Sequence, residues 1–171
     1  GDLGIDRALG DESQRTPPAL RRSALEARRA AAQHDYADGH FVDAALAYDR
    51  LVRISRLLFP QPHWYVAMLE GEYGECLTQL RRYAQAEAVL LASYNDLRTS
   101  AGEDHAYTLE AAKRLAKFYI TSGRPEMAAN WTELLATVQN ANGEQMHSFL
   151  ANEDVYADRP IGGRFFTQRD V

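Results

Sequence analysis

Apolar residues recur at three- and four-residue steps along most of the chain, and no stretch alternates with polar residues as a strand would. The pattern predicts six helices in three antiparallel pairs. The first pair opens at Thr16-Pro17-Pro18, where threonine can cap and proline suits the first turn. It runs from Ala19 to about Asp38, turns at Gly39, and returns with Val42, Leu46, Leu51, Ile54 and Leu58 as an apolar stripe. Pro60 and Pro62 stop it. The second pair spans Tyr65 to Leu80, with Leu69, Tyr73, Cys76, Leu77 and Leu80 inward, then Ala84 to Arg98. Asp104 is placed to cap the third pair, which runs from His105 to Ser122 and from about Pro125 to Val138. Its seam would hold Leu109, Leu115, Phe118, Tyr119, Trp131, Leu134, Leu135 and Val138.

The pairs repeat. Ala44, Ala86 and Ala128 stand 42 residues apart, and the small residues Ala32, Gly74 and Ala116 precede them at a constant distance. His63 and His105 keep the same spacing in the connectors. Two helices approach closely only where neither carries bulk, so these sites read as contact notches between paired helices. Domain organisation follows: a loose segment at 1–16, a repeat domain at 17–142 with hairpins at about 17–60, 61–102 and 103–142, and a C-terminal extension at 143–171. In the extension, Glu144 to Asn152 can form a helix capping the last hairpin through Met146, Phe149 and Leu150. The remainder, including Phe165 and Phe166, has no periodic pattern.

Composition narrows the function. With 46% hydrophobic and 25% charged residues in 171, the chain is of ordinary globular make-up. A net charge of −5 lacks the basic excess that nucleic-acid binding needs. Apolar runs such as Ala88-Val89-Leu90-Leu91-Ala92 fall far short of the roughly 20 residues of a membrane span. The opening Gly1-Asp2-Leu3-Gly4 has no secretory pattern, and a first residue other than Met points to a piece of a longer chain. Cys76 is the single cysteine, which fits a reducing, cytoplasmic setting. Arginine far outnumbers lysine and alanine abounds, as a GC-rich bacterial coding sequence would give.

The motif Gly-x-aromatic-x-x-Ala at Gly39-His40-Phe41-Val42-Asp43-Ala44, with Arg81-Arg82-Tyr83-Ala84-Gln85-Ala86 in register, resembles the tetratricopeptide repeat. The 42-residue period and the opening His105-Ala106-Tyr107-Thr108 are similar to the longer subtype in kinesin light chains. The stretch from Arg114 to Trp131 is similar to terminal repeats of bacterial serine/threonine protein kinases. The resemblance covers about residues 24–138. It departs at Asp35, where an apolar residue is usual, and at Pro125, which replaces an aromatic. It implies an all-α solenoid of three hairpins in a right-handed stack, and a protein- or peptide-binding role. Function is the weaker inference, since one fold serves many partners.

Candidate chemistry is thin. His34, His40, His63, His105 and His147 form no ligand set on one helical face, so no metal or other cofactor is expected. The equivalent positions of His63 and His105 suggest a structural part in the turns. Cys76 lies on an inward stripe beside Glu72 and Glu75, which disfavour a thiolate nucleophile. Glu70, Glu72 and Glu75 read as a solvated or groove-lining face rather than a hydrolytic pair. Asn130-Trp131-Thr132 and Gly162-Gly163 lack the setting that glycosylation or phosphate binding would need.

The informative surface is the groove lined by the first helix of each hairpin. Arg29, Gly71 and Lys113 stand at one level, Gln33, Glu75 and Lys117 at the next, and Tyr36, Thr78 and Ile120 at a third. Glu72 and Arg114 lie beside them. This gives basic ends and an acidic middle, with Arg29 or Lys113/Lys117 as anchors for an acidic peptide or terminal carboxylate. Glu75 and Lys117 occupy positions where chaperone-binding relatives carry asparagines, which disfavours chaperone tails. The expectation is a noncatalytic scaffold that binds a protein or peptide. Competing readings are a regulatory region attached to a kinase and a self-association module forming a homo-oligomer.

Overall fold

The computed structural model describes residues 18–156, with side chains described for 21–143. The expected segment at 1–16, the tail beyond Tyr156 and the packing of Met146, Phe149 and Leu150 lie outside the described residues. Among the described residues there are six helices and no strand: α1 (Pro18–Ala37), α2 (Phe41–Leu58), α3 (Trp64–Gln79), α4 (Tyr83–Ser100), α5 (Ala106–Thr121) and α6 (Pro125–Tyr156). The chain divides into two compact units, Gly1–Leu135 and Ala136–Val171. The first holds the three hairpins; in the second, α6 continues to Tyr156.

Each hairpin turns in the same way. Gly39, Arg81 and Gly123 all have positive φ, at 82°, 57° and 77°. Around each, two backbone bonds close the helix end: His40 N–H donates to Asp35 O at 2.8 Å, Arg82 to Leu77 at 2.9 Å and Arg124 to Tyr119 at 2.8 Å. The partner bonds from Gly39, Arg81 and Gly123 reach Tyr36, Thr78 and Ile120. This is a Schellman closure, in which the left-handed residue frees the chain to reverse. Gly39 and Gly123 reach it without strain, whereas Arg81 carries a Cβ there.

The opposite ends are closed by histidine. Nδ1 of His63 accepts from Tyr65 N–H, and Nδ1 of His105 accepts from Tyr107 N–H, both at 3.2 Å. The cap of α5 is therefore His105 and not Asp104. The same His-capped turn serves α3 and α5.

The notches pack as their size requires. Ala32, Gly74, Ala44, Ala86 and Ala128 are buried, and Ala116 is half-buried. At Gly74 an added Cβ would stand 2.6 Å from both Cγ and Cδ2 of Leu90. Helix α3 packs against α2, α4 and α5, and most of its side chains are buried. Val66, Leu69 and Cys76 join Tyr48 and Leu51 on one side of it. Ala67 and Leu77 join Leu90, Leu97, Leu115 and Phe118 on the other. In the third hairpin, the Trp131 ring meets Tyr94 edge-on at 4.7 Å.

Two helices depart from the sequence pattern. Val42 and Leu46, expected on the inner stripe of α2, are exposed. The buried face carries Ala44, Ala45, Tyr48, Leu51, Val52 and Ser55 instead, because the alanine notch sets which side faces α1 and α3. Helix α6, expected to end near Val138, runs unbroken through Gly143. One glycine costs a helix only about 1 kcal/mol, too little to break it without a proline.

Candidate functional site

Helices α1, α3 and α5 present a polar face built by inter-repeat ion pairs. Arg29 of α1 grips Glu72 of α3: Nε donates to Oε2 at 3.0 Å and Nη2 to Oε1 at 2.6 Å. Gln33, one turn on, donates to the same Oε1 at 3.2 Å. The hydrogen bond to Glu72 raises the Arg29 pKa further above its ordinary value, against the cost of burial. One step along, Arg114 of α5 donates from Nε to Glu75 Oε2 at 3.0 Å. Gly71 makes room for it, since a Cβ there would sit 3.3 Å from Arg114 Nη1.

Of the α3 glutamates expected on a solvated or groove-lining face, Glu75 lines the groove, whereas Glu70 and Glu72 are not solvated. Glu70 and Glu72 are buried, each answered by an arginine of a neighbouring helix. Glu70 pairs with Arg56 of α2. Burial raises its pKa, although the Arg56 hydrogen bond works the other way. The sequence pattern did not show this because the partners lie on other helices. Cys76 is buried, and desolvation pushes its thiol up to about 12, which leaves it protonated near neutral pH. A third lock joins α4 to the last turn. Arg124 Nη1 donates to Glu87 Oε2 at 2.8 Å, and the Tyr119 hydroxyl donates to Glu87 Oε1 at 2.9 Å.

With Arg29 and Arg114 engaged, the groove's charge cancels pairwise except at its far end. There Tyr36, Glu75, Thr78, Gln79, Leu90, Arg114, Lys117 and Phe118 line a shallow crevice. Its free space is about 10 Å³, room for roughly one water, so it suits a chain lying across it better than an enclosed small molecule. Thr78 donates to Gly74 O at 2.8 Å, and Gln79 donates to the Tyr36 hydroxyl at 3.4 Å. Lys117 is exposed and meets no carboxylate among the described residues, and Ile120 is exposed nearby on α5. Lys113 is exposed too, 3.9 Å from Glu110.

The structure therefore gathers Tyr36, Glu75, Thr78, Arg114 and Lys117 in one place. It ties Arg29, Gln33 and Glu72 to one another and leaves Lys113 beside its own helix's Glu110. Gln79, Leu90 and Phe118 complete the crevice without having been expected in the groove, Phe118 having been assigned to the seam of the third hairpin. Leu90 reaches it from α4 through the Gly74 notch, a contact no pattern within one helix can show.

Among the described residues no three His, Cys, Asp or Glu side chains come together as a metal would require, and no helix is long and apolar enough to cross a membrane.

Hairpins of this kind, stacked and joined by equivalent turns, define an all-α solenoid of the tetratricopeptide-like class. A solved structure from Podosopora anserina, described as kinesin light chain nearly identical TPR-like repeats, superposes with a TM-score of 0.61 at 16% identity. The match covers 82% of this chain and 66% of that one, so the chain spans just under two thirds of its length. At that identity the likeness shows the fold. No family model and no curated protein matches the sequence.

Proposed function

We propose that the protein is a noncatalytic scaffold that binds a segment of another protein along the face of α1, α3 and α5. The supporting observation is the end of the groove. Among the described residues Lys117 pairs with no carboxylate, beside Leu90 and Phe118, while the neighbouring Arg114 is bonded through Nε to Glu75. A partner segment carrying one acidic side chain and one apolar neighbour matches that arrangement. Arg29 and Glu72 hold α1 to α3 and so fix the groove's shape rather than its specificity. Partner selection then rests on Tyr36, Thr78, Lys117 and Ile120.

Affinity capture from the source lysate tests this, with Lys117→Glu compared with Arg98→Glu on an outer helix. The expected result is a captured protein lost with Lys117→Glu and kept with Arg98→Glu. An identical captured set from both variants overturns the groove as the binding face. Arg29→Glu is unsuited to the test, because it removes the partner of a buried carboxylate and would disturb the fold.

A further inference from the structure

A second opening lies at the start of the first hairpin, away from the groove. Where the first turns of α1 meet the end of α2, Arg21, Arg22, Leu25, Leu58 and Phe59 surround about 210 Å³ of free space. Leu25 is buried. Phe59 stacks on His63 at 4.4 Å and meets Tyr65 edge-on at 5.7 Å, so that wall is fixed before any ligand arrives.

The polar side of the opening is cationic, formed by Arg21 and Arg22. Arg21 is half-buried, with its Nε sealed from water and without an acceptor among the described residues. Arg22 adds a second guanidinium. The first turn of α1 carries no acidic residue, so nothing in it offsets the positive end of the helix dipole. Glu26, the next acid along α1, lies 3.6 Å from Arg29.

Size and charge together select a ligand. Ligand pockets for drug-sized molecules run to about 300–1,000 Å³, so 210 Å³ suits a single side chain better. An anion beside it would meet the Arg21 and Arg22 guanidinium groups with charge-assisted bonds, which a neutral amide gives only weakly. We propose that this opening docks one large apolar side chain of a partner peptide, with an adjoining aspartate or glutamate carboxylate on Arg21 and Arg22. The site shares no residue with the groove, so either can fail without the other.

The test is an NMR titration of the methyl-labelled full chain with N-acetyl-Gly-Ser-Leu-Glu-Ser-Gly-amide. Saturable shifts are expected at the Leu25 and Leu58 methyls, unaffected by Lys117→Glu. Replacing glutamate by glutamine, or leucine by serine, in the peptide should weaken binding at least tenfold. These peptide variants leave the protein's folding untouched. Arg21→Gln should weaken binding as much, and Arg28→Gln should not. Equal affinity for the glutamine peptide, retention of binding by Arg21→Gln, or no shift at millimolar peptide overturns the proposal. So do contacts from the chain's own residues 1–17 to the Leu58 methyls that persist when peptide is added.

Discussion

Gly74 of α3 and Leu90 of α4 occupy one another's space: any Cβ on Gly74 would lie 2.6 Å from Leu90 Cδ2. Leu90 is itself fully buried and lines the far end of the groove. The repeat's small residue therefore sets both how closely the second hairpin closes and what the groove's floor is made of.

Gly74→Ala should destabilise the protein by about 1–3 kcal/mol, despite alanine's better helix propensity, because the crowded core outweighs it. Urea unfolding measures this. Adding Leu90→Ala should show coupling, the double variant losing less than the two single losses combined. Additive losses would mean the two residues do not share the notch.

Arg81 holds the left-handed turn position that Gly39 and Gly123 hold in the other hairpins. Arg81→Gly should stabilise the fold by about 0.5–1 kcal/mol, since relief of the left-handed strain exceeds the added entropy of the unfolded chain. Gly39→Ala should cost about 1 kcal/mol by the same reasoning. Thermal unfolding of both variants checks the sign.

The Arg29–Glu72 pair spans two repeats with the Glu72 side chain 8% exposed. Arg29→Met should cost about 3 kcal/mol, because it leaves that carboxylate buried without its cation and bonded by the Gln33 amide. Arg29→Met with Glu72→Leu should recover most of the loss, as an apolar pair often replaces a buried ion pair. Denaturant unfolding of the single and double variants decides it.

Acid should loosen the connector at His63. The His63 cap accepts through Nδ1, which a protonated imidazole cannot do. Burial holds the His63 pKa below the ordinary value of 6.5, so the unfolded chain takes up its proton first. Its contribution is complete above about pH 6.5 and is lost as pH falls toward the lower folded value. Glu70, with its raised pKa, has the opposite slope above 4.5. His63→Asn isolates the histidine, since asparagine caps without titrating. The difference in stability between wild type and His63→Asn should change across this window and be constant above it.

Much of the fold was legible because the spacing of Ala44, Ala86 and Ala128 records tertiary contact directly. A notch needs a small residue whatever the rest of the helix does, so the signal survives in one sequence. The two histidines likewise declared their structural part by equivalence. Other features were hidden because they depend on neighbours distant in the chain. Glu70 and Glu72 look like surface charge until Arg56 and Arg29 are placed beside them. Val42 and Leu46 look like core until Ala44 turns the helix. Asp104 was a reasonable cap by residue type, but the chain reaches α5 through His105. In the groove, the positions on α1, α3 and α5 were readable from the repeat, whereas Leu90's entry from α4 was not.

Site-specific photocrosslinking tests the scaffold reading most directly. A benzoylphenylalanine at position 117, in the groove, is compared with one at position 88, on the exposed side of α4. The account predicts that position 117 crosslinks to a protein partner in the source cell and that position 88 does not. Equal crosslinking from both, or crosslinking from position 88 alone, would contradict it.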